Sequence, residues 1–141
     1  MPGSTDLSIL LAGLAPVRRP GEFVFVTRPH DEVGAADDPL PLATVIEDEG
    51  TTLVVSRADA DQRGWAYDFV AAWITLEVRS SLAAVGLTAA VSAALADAGI
   101  SANVLAAFHH DHVLVPVDRA DEALAALAGL AATAAVQASG E

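Results

Sequence analysis

Two short stretches hold most of the residues that could do chemistry. In the first, Ser80 and Ser81 precede Ala84, Val85, Gly86 and Leu87. Serine hydroxyls can donate to a carboxylate or anchor an α-amino group, and glycine admits a ligand close to the backbone. If a helix begins here, the amides of Ala84 to Leu87 and the positive end of the helix dipole would attract a carboxylate. The same residues would also make a plain strand-to-helix turn. The second stretch is His109-His110-Asp111-His112. Imidazole and carboxylate suit zinc or nickel, yet four ligands so close in sequence rarely wrap one ion. The one remaining histidine is His30. A polar hairpin turning at Asp111 explains the run without metal, as does contact of His109 or His110 with an organic ligand. Glu47, Asp48 and Glu49 could hold an amino group or form a solvated turn. Trp65, Tyr67 and Trp73 could line a pocket or fill a core.

These groups need elements to place them. Val70, Ala72, Ile74, Leu76 and Val78 alternate with Trp73, Thr75, Glu77 and Arg79, the two-residue period of a strand with one apolar face. Leu87, Val91 and Leu95 then recur every four residues, as on one face of a helix, with Gly99 just past its end. Ala102 to Phe108 and Val113 to Val117 return to period two around the histidine run. Ala120 to Ala135 reads as an alanine-rich helix with Leu124, Leu127 and Leu130 as its stripe. A strand, a helix and a hairpin make half of a layered α+β sandwich.

The first half is poorer in helix signals. Leu7 to Leu14 reads as a strand, and Arg18-Arg19-Pro20-Gly21 as a turn into the strand Phe23-Val24-Phe25-Val26. Arg28 to Pro41 reads as loop. Leu42 to Ile46 and Thr52 to Val55 form a hairpin across Glu47-Asp48-Glu49-Gly50, with Gly50 free to take positive φ. Ala58 to Arg63 reads as a short helix closed by Gly64.

Composition narrows the function classes. Nineteen acidic residues face seven basic ones, all arginine, for a net charge of −12. That balance repels nucleic acid and anionic membrane surfaces. The missing lysine excludes a Schiff base or a phosphate-loop lysine. The missing cysteine excludes disulfides, thiolate zinc sites and cysteine nucleophiles. No Gly-x-Ser-x-Gly elbow supports a serine triad. The apolar run Ile9 to Ala15 is too short to span a bilayer and lacks a positive leader. The expectation is a soluble, cytoplasmic protein. High alanine and arginine content without lysine goes with GC-rich bacterial genomes. An apolar content of 53%, above the usual ~45–50%, favours self-association as a homodimer.

At Val85-Gly86-Leu87-Thr88-Ala89-Ala90-Val91, then Leu95 and Gly99-Ile100, the sequence resembles an ACT domain. The family signature has an aspartate ahead of proline-glycine, an apolar helix, then glycine-isoleucine-asparagine. Here Ala83 replaces the aspartate, Val85 the proline and Ser101 the asparagine. Ser80-Ser81-Leu82, Ser101-Ala102-Asn103-Val104 and His110-Asp111-His112 are similar to a bacterial family of stand-alone proteins with two ACT-like units and no catalytic domain. The resemblance implies a ferredoxin-like βαββαβ sandwich in tandem, with residues 1–66 a degenerate unit and 67–141 an ACT domain. It implies a non-catalytic regulator, without cofactor, that binds a small amino acid at a cleft between units and serves an enzyme such as an aspartokinase. Ser80, Ser81 and the amides of Ala84, Val85, Gly86 and Leu87 would take the ligand's carboxylate end. The neighbouring unit, or Ser101, Asn103, His109, His110 and Asp111, would supply the other wall. Gly86→Val should then weaken binding and spare the fold, provided Gly86 does not sit at positive φ. One alternative is a ligand-free dimerisation module. Another is a metal-binding protein built on His109 to His112.

Overall fold

In a computed structural model, residues 7–78 and 86–139 are described. The expected strand over Leu7 to Leu14 is instead a helix, α1 (Leu7–Ala12). Leu10, Leu11 and Leu14 are buried, and spacings of one, three and four place them on one helical face. The apolar run hid that period because Leu7 and Ile9, which are exposed, are apolar too. The expected turn at Arg18 to Gly21 is also corrected. The chain stays extended through it as a fourteen-residue strand, β1 (Ala15–Arg28). Pro20 is tolerated there because the ladder with the third strand begins only at Phe23, so the missing N–H costs that ladder nothing.

A 3₁₀ turn (His30–Glu32) and a loop follow, then β2 (Ala43–Glu47), β3 (Gly50–Ser56), α2 (Arg57–Arg63) and β4 (Val70–Glu77). After the described chain resumes come α3 (Leu87–Asp97), β5 (Asn103–Ala106), β6 (Asp111–Pro116), a second 3₁₀ turn (Val117–Arg119) and α4 (Ala120–Ser139). The strands form antiparallel ladders, giving an α+β architecture.

Residues 20–72 make one compact unit. Its strands run in the order β2-β3-β1. Val24 opposite Val55 and Val26 opposite Leu53 build its core with Ala60 of α2, flanked by Val33, Trp65, Tyr67 and Val70. The Ser56 Oγ accepts from the Asp59 amide at 3.1 Å, a side-chain cap that starts α2. Gly50 opens β3 at positive φ (157°), as expected of the turn, and packing gives a second reason for glycine. A Cβ there would lie 3.0 Å from Thr27 Oγ1 and 3.1 Å from the Arg28 carbonyl, so the glycine permits close approach of β1.

Residues 1–19 and 73–141 make the other unit. Its strands run β1-β4-β6-β5, which leaves β4 interior. Ile74, Leu76, Val113, Val115, Leu95, Val91 and Leu127 are fully buried. Leu87, Val91 and Leu95 carry α3 into this core as their spacing predicts. On α4 the buried residues are Ala120, Ala123, Leu127 and Ala134, so small side chains line that face and Leu124 and Leu130 sit at its margins. Helices α1 and α3 both pack on α4. Arg119 joins two ends: its guanidinium donates to the Ala98 carbonyl at 3.0 Å and to Glu122 at 2.8 Å. A cation is favourable at the carbonyl end of α3.

Candidate ligand-binding site

Strand β4 leads the chain toward the loop, and Ser80, Ser81, Ala84 and Val85 lie outside the described residues. The description resumes at Gly86, the N-cap of α3, with φ 94° and ψ −15°. The Ala90 amide donates to the Gly86 carbonyl at 2.9 Å. The amides of residues 87–89 therefore precede the first intrahelical bond and need other acceptors. Gly86 has no side chain to serve as a cap, and the first turn of α3 holds no acidic residue. The positive end of this eleven-residue helix is thus not met by a carboxylate from its own first turn. The Leu87 side chain is buried, so that residue offers its backbone.

The positive φ of Gly86 violates the condition attached to Gly86→Val. A Cβ at position 86 would also meet Leu7 Cδ2 at 3.2 Å. Substitution there strains the fold as well as the loop, so it cannot report on binding alone.

The hairpin turn differs from expectation. It spans Ala107 to His110, with the Ala107 amide donating to the His110 carbonyl at 3.1 Å. Asp111 is not its turn residue; it opens β6, opposite Ala106. Period-two residues on either side could not show where pairing stops. His109 and His110 are exposed, and His109 meets the Phe108 ring edge-on at 5.0 Å. Ser101 and Asn103 are exposed too, and Asn103 pairs with Leu114. Asn103 and Asp111 thus stand at opposite ends of the β5–β6 ladder, three steps or roughly 10 Å apart. Asp111 adjoins His110 by sequence alone, and the ladder sets it apart from Asn103. Among the described residues no three His, Asp or Glu side chains converge as a metal site. Glu47 is engaged twice, its carboxylate with the Thr52 hydroxyl and its carbonyl with His30 Nε2 at 2.6 Å.

The aromatic residues divide. Trp65 packs on the core of residues 20–72 with the Arg28 guanidinium 5.0 Å above its ring. Tyr67 helps line an open cleft of about 300 Å³ with Phe25, Thr27, Thr52 and Asp68. Trp73 belongs to a polar cluster that sequence reasoning did not assemble. Its indole N–H donates to His112 Nδ1 at 3.2 Å and to Thr75 Oγ1 at 3.3 Å. Thr75 Oγ1 lies 3.0 Å from the same nitrogen, and the Arg19 guanidinium sits 5.2 Å from the Trp73 ring. An indole N–H only donates, so Nδ1 must be unprotonated to receive it, which places the ring proton on Nε2. The His112 pKa is lowered, first by burial, then by the neighbouring His110 and Arg19 charges, against the opposing pull of Asp111. The alternation of Trp73 with Thr75 was visible in the sequence. Their meeting with His112 depends on β6 lying beside β4, which local periodicity does not encode.

Family models divide the chain near residue 70, whereas in the structure residues 1–19 cluster with 73–141. One ACT-domain family model matches residues 2–72 and a second matches residues 69–129. A crystal structure of a Vibrio cholerae protein of unknown function, described as a possible transport protein, is 42% identical. It covers 92% of this chain and 98% of its own, with a TM-score of 0.78. The aspartokinase α and β subunit structure matches at 15% identity and TM-score 0.61, over 82% of this chain and 96% of that one. The ligand-free regulatory subunit of aspartate kinase from Thermus thermophilus matches at 11% identity and TM-score 0.58, over 84% and 98%. At those identities the aspartokinase likenesses speak to fold. Nothing among curated protein sequences matches.

Proposed function

From the premise that this chain belongs to the ACT domain family, whose members are typically amino-acid-sensing regulatory modules, we propose that it is a non-catalytic amino-acid sensor. The ligand's carboxylate lies over the amides of residues 84–87, with the Ser80 or Ser81 hydroxyl in reach. The observation that carries this reading is the start of α3: a glycine N-cap, no side-chain cap and no acid in the first turn. Such a terminus accepts an anion without lysine, and this chain has none. The working form is a soluble cytoplasmic homodimer that passes the ligand's presence to a partner enzyme.

Thermal-shift screening against the twenty amino acids tests the proposal. A ligand at 100 times its Kd adds about 2.7 kcal/mol of stability. The Ser80→Ala, Ser81→Ala double variant should lose most of that gain while melting normally without ligand. No response to any amino acid, or a response the double variant keeps, would count against the site. A second reading, a ligand-free interaction module, is favoured by one observation. Ala83, Val85 and Ser101 stand where the family signature has aspartate, proline and asparagine.

A further inference from the structure

The cleft that Tyr67 helps to line lies wholly within the unit of residues 20–72, beside Phe25, Thr27, Thr52 and Asp68. Three of these five side chains are already held. The Tyr67 hydroxyl accepts from Arg57 at 3.0 Å and donates to Asp61 at 2.7 Å. The Thr52 hydroxyl donates to the Glu47 carboxylate, and the Phe25 ring stands 6.3 Å from that of Phe69. The other two side chains are not engaged. Among the described residues neither the Asp68 carboxylate nor the Thr27 hydroxyl has a hydrogen-bond or ion-pair partner, and no arginine lines the cleft. Arg57, 5.8 Å from the Tyr67 ring, is already matched by Glu22 at 3.0 Å.

We propose that this cleft binds a small primary ammonium ion, an amine with a short apolar body and no carboxylate of its own. The ligand is read from what the walls leave unsatisfied. A carboxylate calls for a cation, and an ammonium group carries enough donors for Asp68 and for the lone pairs of Thr27. The Phe25 and Tyr67 rings offer apolar surface to the body and a negative π face to the charge. A volume of about 300 Å³ stands at the small end of ligand pockets, so the body is limited to a few carbons. Charge disfavours an amine that also carries a carboxylate. Asp68 lines the cleft and Glu47 is bonded to its Thr52, so a second anionic group would meet two like charges. The chain's net charge of −12 draws cations toward the surface. The site is separate from the start of α3 and does not rest on the amino-acid reading.

Butylammonium, norvaline and butanol form a matched set for the test. Norvaline adds a carboxylate to the amine, and butanol replaces the charge with a hydroxyl. Each is titrated into isotope-labelled protein at constant ionic strength and followed by amide NMR. Butylammonium should give saturable shifts at the amides of residues 25–27, 52 and 66–68, and the other two compounds should give none there. Asp68 is exposed, so Asp68→Asn should keep the circular dichroism of the parent while weakening butylammonium binding about tenfold or more. No saturable shift at these amides up to about 100 mM butylammonium overturns the site. Shifts that Asp68→Asn leaves unchanged, or that norvaline or butanol produces equally, overturn the assignment of the ligand.

Discussion

The unit of residues 1–19 and 73–141 and the unit of residues 20–72 use strands alike and helices differently. In the former, β4 leads toward an eleven-residue helix whose first turn has neither side-chain cap nor acid. In the latter, β1 is followed by a 3₁₀ turn and loop, and the one described α-helix, α2, has seven residues and a serine cap. Its charged groups answer one another as well. Arg57 donates to Glu22 at 3.0 Å and to the Tyr67 hydroxyl at 3.0 Å, and that hydroxyl donates to Asp61 at 2.7 Å. Arg63 lies 3.2 Å from Asp38. The serine cap spends a donor of α2 internally, whereas Gly86 has no side chain with which to spend one of α3. On the reading proposed above, the amino-acid ligand belongs to the α3 unit, and this difference is what supports that choice.

The comparison breaks most readily at the core of the α3 unit. Leu95 is fully buried, so Leu95→Ala should destabilise by about 2–5 kcal/mol. An unchanged melting temperature would mean that α3 does not depend on that face. The cap of α2 sharpens the other side. Ser56→Ala should cost about 1 kcal/mol, measured by urea unfolding, and should leave amino-acid binding unaltered. Loss of binding in that variant would tie the second unit to the ligand after all.

The smallest effect concerns His112. Its folded-state pKa lies below the ordinary value of 6.5 because burial disfavours the charged ring. The unfolded chain then binds the proton more readily. The stability contributed by the neutral ring is full above about pH 6.5 and falls as pH drops through the folded-state pKa. Protonation would also set an Nδ1–H against the Trp73 N–H. Melting temperatures between about pH 5 and 7 should decline less steeply in His112→Gln than in the parent. Identical slopes would show that some other group titrates.

Much of the fold was legible because side-chain period and secondary structure agreed. Leu87, Val91 and Leu95 marked α3, Ile74 and Leu76 marked the core face of β4, and Ala58 to Gly64 marked α2 and its end. Legibility failed where the period was ambiguous. Leu7 to Leu14 is apolar at nearly every position, so a helical face and a buried strand look alike. Pro20-Gly21 read as a turn because turn chemistry is a local preference, and pairing on only part of β1 overrode it. The sequence placed the start of α3 at Leu87, just after Gly86, as the structure has it. It could not show the bond from Trp73 to His112, which joins residues far apart in sequence through strand order.

The contact between Leu7 and position 86 has a consequence for how such a chain can evolve. The loop glycine is confined by its own backbone and also by a leucine from the first helix. Drift at one position is therefore constrained by the other, although 79 residues separate them in sequence (86 − 7). A lineage that trims residue 7 frees space at the mouth of α3. One that enlarges it closes that space without touching any loop residue. The first described helix thus constrains position 86 from a distance in sequence, through packing and not through the loop itself.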